Sequence, residues 1–312
     1  MKNAVEIGRT GLLVNPIGLG SNAVGGHNLF PNLNDETGKE IVRAAIQNGI
    51  NFIDSAFIYG MGRSEELIGE VLKEFNTRQD MIIATKGAHK IEEGKVIVDN
   101  SPKFLRETVE NSLRRLQTDY IDLFYIHFPD EGTPKDEAIG TLSRLKEEGK
   151  IRAIGVSNFT MDQLTEANKD GNLEVIQSGY NLFKREAEND LIPFCAQHQI
   201  SFIPYFPLAS GLLTGKFNKD SIFEDGRSKN PLFQGEVYIR NLEKIESLRS
   251  IANDKQTEVS SIVLAWYLAQ NTIDTVIPGA KKPEQVLRNL KALEVELTIE
   301  EMQEINRIFK TE

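Results

Sequence analysis

Eight short apolar runs punctuate the chain, and amphipathic stretches fill the intervals between them. The runs are residues 16–19, 51–54, 81–85, 121–126, 151–156, 175–177, 202–205 and 275–277. Most are continuous rather than alternating, the pattern of strands covered on both faces. The intervals carry helix signals. Asn34 precedes a helix with Ile41, Ala44 and Ala45 on one face, and Gly49 closes it. Ser64 opens the next, while Ser101-Pro102 and Thr133-Pro134 each set a cap before a first-turn proline. Thr160 opens another, 185–198 and 283–293 read as further helices, and Thr298 with Glu301 makes a capping box.

Strands alternating with helices predict a parallel α/β sheet. An open doubly wound sheet is one solution; eight units favour closure into a (β/α)8 TIM barrel. The glycines from Gly18 to Gly25 lack the spacing of a dinucleotide-binding turn, which argues against the open form. Two segments interrupt the repeat: 89–100, polar and glycine-containing, and 209–235, a long loop after the seventh strand. Helices at 241–254 and 259–269 follow that loop. With a hairpin in residues 1–13 around Arg9-Thr-Gly11 and extra C-terminal helices, one barrel domain accounts for residues 1–312.

Composition narrows the partners. Lys and Arg number 36 against 46 Asp and Glu, a formal charge of −10, which disfavours nucleic acid. No run is long enough for a membrane span, and the first eleven residues lack the apolar core of a signal peptide. Cys195 has no partner for a disulfide, so a reducing, cytoplasmic location is expected.

In a parallel barrel, chemistry gathers at the C-terminal ends of the strands. Asp54 ends the second run with Tyr59 just beyond, Lys86 follows the third, and His127 follows the fourth. Singly each has a plain explanation: a turn cap, a rim aromatic, a solvated charge, a core histidine. Together they make an acid–base site. Asp54 would hold Lys86 charged, Lys86 would lower the pKa of the Tyr59 phenol, and His127 would orient a carbonyl oxygen. His27, His89, His127, His198 and Cys195 lack metal-ligand spacing, so no metal is expected.

These residues, with Gly155-Val-Ser157-Asn158, Gln177 and Ile277-Pro-Gly279-Ala280, resemble the aldo-keto reductase superfamily over nearly the whole chain. The likeness is strongest to the bacterial inositol-operon reductases, which share a Pro-Gly-Ala pattern with potassium-channel β subunits. The resemblance implies a barrel binding NADP(H) across its mouth and reducing aldehydes or ketones, with Tyr59 as proton donor. It implies Ser157, Asn158 and Gln177 at the nicotinamide carboxamide and Tyr205, otherwise a core aromatic, stacked on the ring. Phe206, Pro207, Leu208, Ser210, Gly211, Leu213 and Lys216 would approach the pyrophosphate, although Lys216 also reads as an ordinary solvated lysine. Gly279, Lys281, Gln285, Arg288 and Asn289 would receive the adenosine end. Here the chain departs from the better-known reductases: their lysine-serine pair aligns with Gly279-Ala280 and their arginine with Gln285. Lys281, Lys282 and Arg288 could restore the charge, which leaves NADP against NAD open. Ala23, Val24, Phe57 and Phe128 are candidate substrate contacts, and equally candidate loop packing.

Two other readings fit the same residues. The channel-subunit likeness allows a cofactor-sensing binding protein with little turnover and a protein partner of unknown kind. A Schiff-base aldolase acting through Lys86 would explain Lys86 and Tyr59 but leave Ser157, Asn158 and Lys281 idle.

Overall fold

The computed structural model describes residues 4–310. A two-stranded hairpin, β1 (Val5–Glu6) and β2 (Leu13–Val14), comes first. Of the hairpin expected in 1–13, residues 1–3 lie outside the described residues. The barrel strands are β3 (Leu19–Gly20), β4 (Phe52–Asp54), β5 (Ile82–Gly87), β8 (Ile121–Ile126), β9 (Ile151–Ser157), β10 (Val175–Gly179) and β11 (Ser201–Tyr205). They form one parallel sheet in chain order, from β3 at one edge to β11 at the other.

The eighth run completes the set without being a regular strand. Residues around Val276 pair in parallel with the first run: Gly18 N–H donates to the Val276 carbonyl at 2.8 Å, and Val276 N–H to that of Pro16 at 3.0 Å. Pro16 and Pro278 have no N–H, so the ladder is interrupted, and it resumes only as a single bond from Gly20 N–H to the Pro278 carbonyl at 3.2 Å. On the β11 side, Ser201 Oγ donates to Asp274 Oδ2 at 2.6 Å.

Strand alternation sorts the core into two layers. Leu123 and Tyr125 of β8 point inward with Phe52, Ala84, Ala153, Val175 and Ile203, and Ile7, Leu12 and Val14 of the hairpin join this inner cluster. Phe124 and Ile126 point outward beneath the helices, in a cluster that Ile121 joins at the start of the strand. Both faces are therefore covered, which is why the runs lack a polar alternation.

The helical layer is α1 (Asp35–Gln47), α2 (Arg63–Phe75), α3 (Pro102–Leu116), α4 (Lys135–Glu147), α5 (Met161–Ala167), α6 (Leu191–His198), α7 (Gly235–Asp254), α8 (Val259–Leu268), α9 (Pro283–Leu290) and α10 (Ile299–Ile308). Asn34, Ser101, Thr160 and Thr298 cap as their sequences predict, the last two in capping boxes. Ser64 and Thr133 do not. Ser64 Oγ donates to the Ser21 carbonyl at 2.9 Å, leaving Gly62 as the α2 cap, and Thr133 Oγ1 donates to Asp130 Oδ2 at 2.8 Å. The helix expected at 185–198 begins only at Leu191, after a separate 3-10 turn, and that at 283–293 ends at Leu290. Segment 89–100 folds as a hairpin of β6 (His89–Glu92) and β7 (Lys95–Val98). The long loop contains three 3-10 turns and is pinned by Phe217, Phe223 and Phe233, whose rings pack edge to face, with Tyr238 of α7 against Phe223 and Phe233.

Gly38 lets α1 lie on the first strand's loop. A Cβ there would stand 2.0 Å from the Val24 carbonyl oxygen. Alanine favours a helix over glycine by about 1 kcal/mol, but such an overlap costs about 1–3 kcal/mol. Gly38→Ala is therefore expected to lower the thermal midpoint; an unchanged or raised midpoint in a melting experiment would show that the loop yields freely.

Candidate active site

The strand ends bring Asp54, Lys86, His127, Ser157, Gln177 and Tyr205 to one mouth. Parallel register sets Asp54 of β4 against Ala84, two residues short of Lys86 on the same face of β5. Lys86 is fully buried, its ammonium paired with Asp54 Oδ1 and donating to the Ser55 carbonyl at 2.8 Å. Gln177 Nε2 donates to the other carboxylate oxygen at 2.9 Å. The pair is thus buried at the floor, with Asp54 bonded on both oxygens and Lys86 donating to two acceptors, as a buried charge requires.

Tyr59 reaches the same space from the loop between β4 and α2. That loop turns through Gly60, Met61 and Gly62, all at positive φ, and Gly60 N–H donates to Asn28 Oδ1 at 2.8 Å. A side chain on Gly60 would strike the Gly25 carbonyl at 2.0 Å, so the close approach requires glycine. The Tyr59 ring stands edge-on to His127 at 6.3 Å, with Lys86 Nζ 5.6 Å from its centre.

Electrostatics corrects one expectation. Burial raises the Tyr59 phenol above its usual value, and Asp54 adds to the rise. Lys86 does not offset that rise. Burial draws Lys86 itself below the ordinary lysine value, opposed by Asp54. Burial, then Lys86 and His89, hold His127 well below the usual histidine range, so its imidazole is neutral. Lys86 is fully buried, bonded to Asp54 and Ser55 and absent from the cavity wall, so the geometry gives no support to a Schiff-base aldolase.

An amide frame stands beside this group. Asn158 Nδ2 donates to the His127 carbonyl and to Ser157 Oγ, both at 3.0 Å, and Asn158 Oδ1 accepts from the Tyr205 hydroxyl at 2.8 Å. A cavity of about 310 Å³ opens over both sets, with Tyr59, His127, Ser157, Asn158, Gln177 and Tyr205 in its wall. Phe206, Pro207, Gly279 and Phe128 also line it. Of the other candidate substrate contacts, Ala23 and Val24 are buried outside the cavity wall. Phe57 turns to the Arg115 guanidinium, 5.1 Å from its ring.

The residues expected along a nucleotide divide in two. Leu208 and Leu213 pack into the outer core, Ser210 is exposed, and Gly211 lies at positive φ beside Lys216. At α9, Gln285 Oε1 accepts from Lys281 N–H at 2.6 Å, Arg288 pairs with Glu258, and Asn289 is buried. Lys216 is drawn below its ordinary value by partial burial and by Arg227, Lys281 and Arg288. Arg227 is a fourth cation that sequence reasoning missed: it sits in the long loop with no motif around it. Its guanidinium rests near Phe217 and Phe223, at 5.3 and 5.1 Å, and holds the Asp225 carboxyl down to about 2. The head groups of Lys216 and Lys281 lie against the rings of Phe217 and Phe30, at 4.8 and 4.1 Å. A cationic cluster on a protein of charge −10 is a fit for a phosphate. The amide frame and the Tyr205 face suit a flat carboxamide-bearing ring. His89, also missed, lines the cavity beside His127. Among the described residues no three His, Cys, Asp or Glu side chains could hold a metal ion, and no helix is long and apolar enough to cross a membrane.

A parallel barrel with this mouth is of the barrel oxidoreductase class. The chain belongs to the aldo/keto reductase family, whose model matches residues 16–310. It is 37% identical over 308 residues to the aldo-keto reductase YhdN of Bacillus subtilis, covering 98% of this chain and 93% of that protein. It is 33% identical to the NADH-specific methylglyoxal reductase of Escherichia coli, covering 94% of each. The solved glycerol dehydrogenase of Gluconobacter oxydans superposes with a TM-score of 0.91 at 35% identity, over 99% of this chain and 95% of that one.

Proposed function

We propose that this protein reduces small aldehydes and ketones to alcohols with NADPH, Tyr59 giving the proton to the carbonyl oxygen. One observation carries the reading: the Tyr59 phenol, the His127 imidazole and the buried Asp54–Lys86 pair meet at a cavity with a preformed amide frame. A bound nicotinamide supplies the hydride. Ser157, Asn158 and Gln177 would hold its carboxamide, and Tyr205 would flank the ring. His127, neutral, donates a hydrogen bond to the substrate oxygen and fixes it near Tyr59. As the carbonyl becomes an alkoxide it grows more basic than the phenolate, so the Tyr59 proton transfers despite its raised pKa. The names of the methylglyoxal reductase and the glycerol dehydrogenase support a small polar substrate.

Mass measurement of nucleotide released from the purified protein, followed by NADPH oxidation with a panel of aldehydes, tests the reading. Turnover by the isolated chain is expected, and it also separates an enzyme from a sensing protein. Absence of turnover with both NADPH and NADH would overturn the proposal. NADP preference rests on Lys216, Arg227, Lys281 and Arg288. Lys281→Ala is expected to raise the NADPH dissociation constant about tenfold, about 1.4 kcal/mol, and to leave NADH within about twofold. Equal losses for the two cofactors would place Lys281 away from the 2′-phosphate.

A further inference from the structure

Within the reading of the cavity as a carbonyl-reducing site, His89 is a polar group that the proton-transfer set does not use. It opens β6, immediately after the strand that carries Lys86. Its ring stands edge-on to His127 with centres 4.9 Å apart, and Phe128 packs against both, at 5.5 and 5.1 Å. Leu29, Ile58 and Phe128 make the neighbouring cavity wall apolar. In both histidines Nδ1 is buried without a hydrogen-bond partner. The tautomer of an imidazole is normally fixed by the bond its other nitrogen makes. Nothing in the protein fixes these two, so each ring can present a donor or an acceptor to a ligand. The backbone supports a purpose for this placement. Ala88, just before His89, is held at φ 105, a conformation that an alanine rarely adopts, and its carbonyl is anchored by Asp99 N–H at 2.9 Å. Such strain persists where the surrounding structure imposes it, often beside a ligand.

We propose that His89 is a second oxygen-binding group of the substrate cavity, selecting carbonyl compounds that bear a hydroxyl or second carbonyl on the adjacent carbon. The reacting oxygen sits at Tyr59 and His127, and the neighbouring oxygen meets the His89 ring beside them. A substrate with a single oxygen leaves that ring unpaired, and sites built to pair a polar group discriminate strongly against ligands that lack it. Burial lowers the His89 pKa, so the ring is neutral and suits an uncharged oxygen rather than a carboxylate.

Lactaldehyde and propanal, which differ only by the adjacent hydroxyl, test this on the intact enzyme. The wild type should favour lactaldehyde in kcat/KM. His89→Leu should reduce kcat/KM for lactaldehyde about ten- to fiftyfold more than for propanal. His89→Gln, which keeps a donor and an acceptor, should retain most of the preference. A wild-type ratio near one, or a His89→Leu ratio within about threefold of wild type, overturns the proposal. So does an equal loss in the two variants, which assigns the effect to packing on His127. Turnover of propanal by the wild type shows that the carbonyl-reductase reading stands even if the ratio fails; no turnover of either substrate removes both.

Discussion

Tyr59→Phe is expected to lower kcat for carbonyl reduction by about a thousandfold while leaving cofactor affinity nearly unchanged. The size follows from the lack of a substitute. Lys86 is buried and bonded to Asp54 and Ser55, and His127 is held neutral, so no second acid faces the cavity with a proton to spare. Removing one hydroxyl leaves the amide frame of Ser157, Asn158 and Tyr205 untouched, so titration calorimetry with NADPH should return the wild-type dissociation constant. The pH dependence sharpens the assignment. With the phenol pKa raised and the imidazole pKa lowered, both groups keep their reducing-direction protonation state across the neutral range. Reduction should be nearly flat from about pH 6 to about pH 9. Alcohol oxidation needs the phenolate and should rise with pH throughout. A reduction rate that falls tenfold per pH unit in the neutral range would show a lowered phenol and contradict this electrostatic account, while retained activity in Tyr59→Phe would remove the residue from its role.

That Asp54, Tyr59, Lys86 and His127 meet at one mouth was legible in the sequence, because their placement needs only local information: where an apolar run ends, and that parallel strands put their ends together. Capping at Asn34, Ser101, Thr160 and Thr298 was legible for the same reason, since cap and partner are neighbours in the chain. Ser64 and Thr133 look alike in sequence, but partners outside the first turn of the following helix claim their hydroxyls. The eighth run failed to become a strand because prolines remove donors from its ladder, a cost visible only once its neighbour is known. The direction of the Tyr59 shift needed the burial of its ring, which no spacing encodes: burial raises the phenol first, and Asp54 adds to the rise. Arg227 and His89 carried no signal, one lying in an irregular loop and the other opening a hairpin that has no counterpart in the βα repeat. Val24 and Phe57 were misplaced because side-chain direction in loops depends on packing, which no spacing encodes.

Separating the charge pair at the floor is expected to give the largest stability effect, and its pH dependence identifies which charge was stranded. Asp54→Asn leaves Lys86 buried without its counter-ion, and breaking such a pair costs about 3–5 kcal/mol, a fall in thermal midpoint of roughly 5–8 °C. The stranded lysine titrates below its unfolded value, in the direction burial already draws it. The unfolded chain then binds more protons than the folded one, so the deficit is full at low pH and shrinks as pH rises toward the unfolded lysine value. Lys86→Met strands the carboxylate instead. A buried carboxyl is better tolerated when protonated, so this deficit should be small in acid and grow as pH rises. The double variant Asp54→Asn with Lys86→Met removes both charges and should recover most of the lost midpoint, with no trend in pH, because a buried pair contributes little beyond its own desolvation. It should still lose activity, since Gln177 then lacks the Asp54 carboxylate that holds it beside the amide frame. Parallel pH trends in the two single variants, or additive losses in the double, would show that Asp54 and Lys86 do not act as one buried pair.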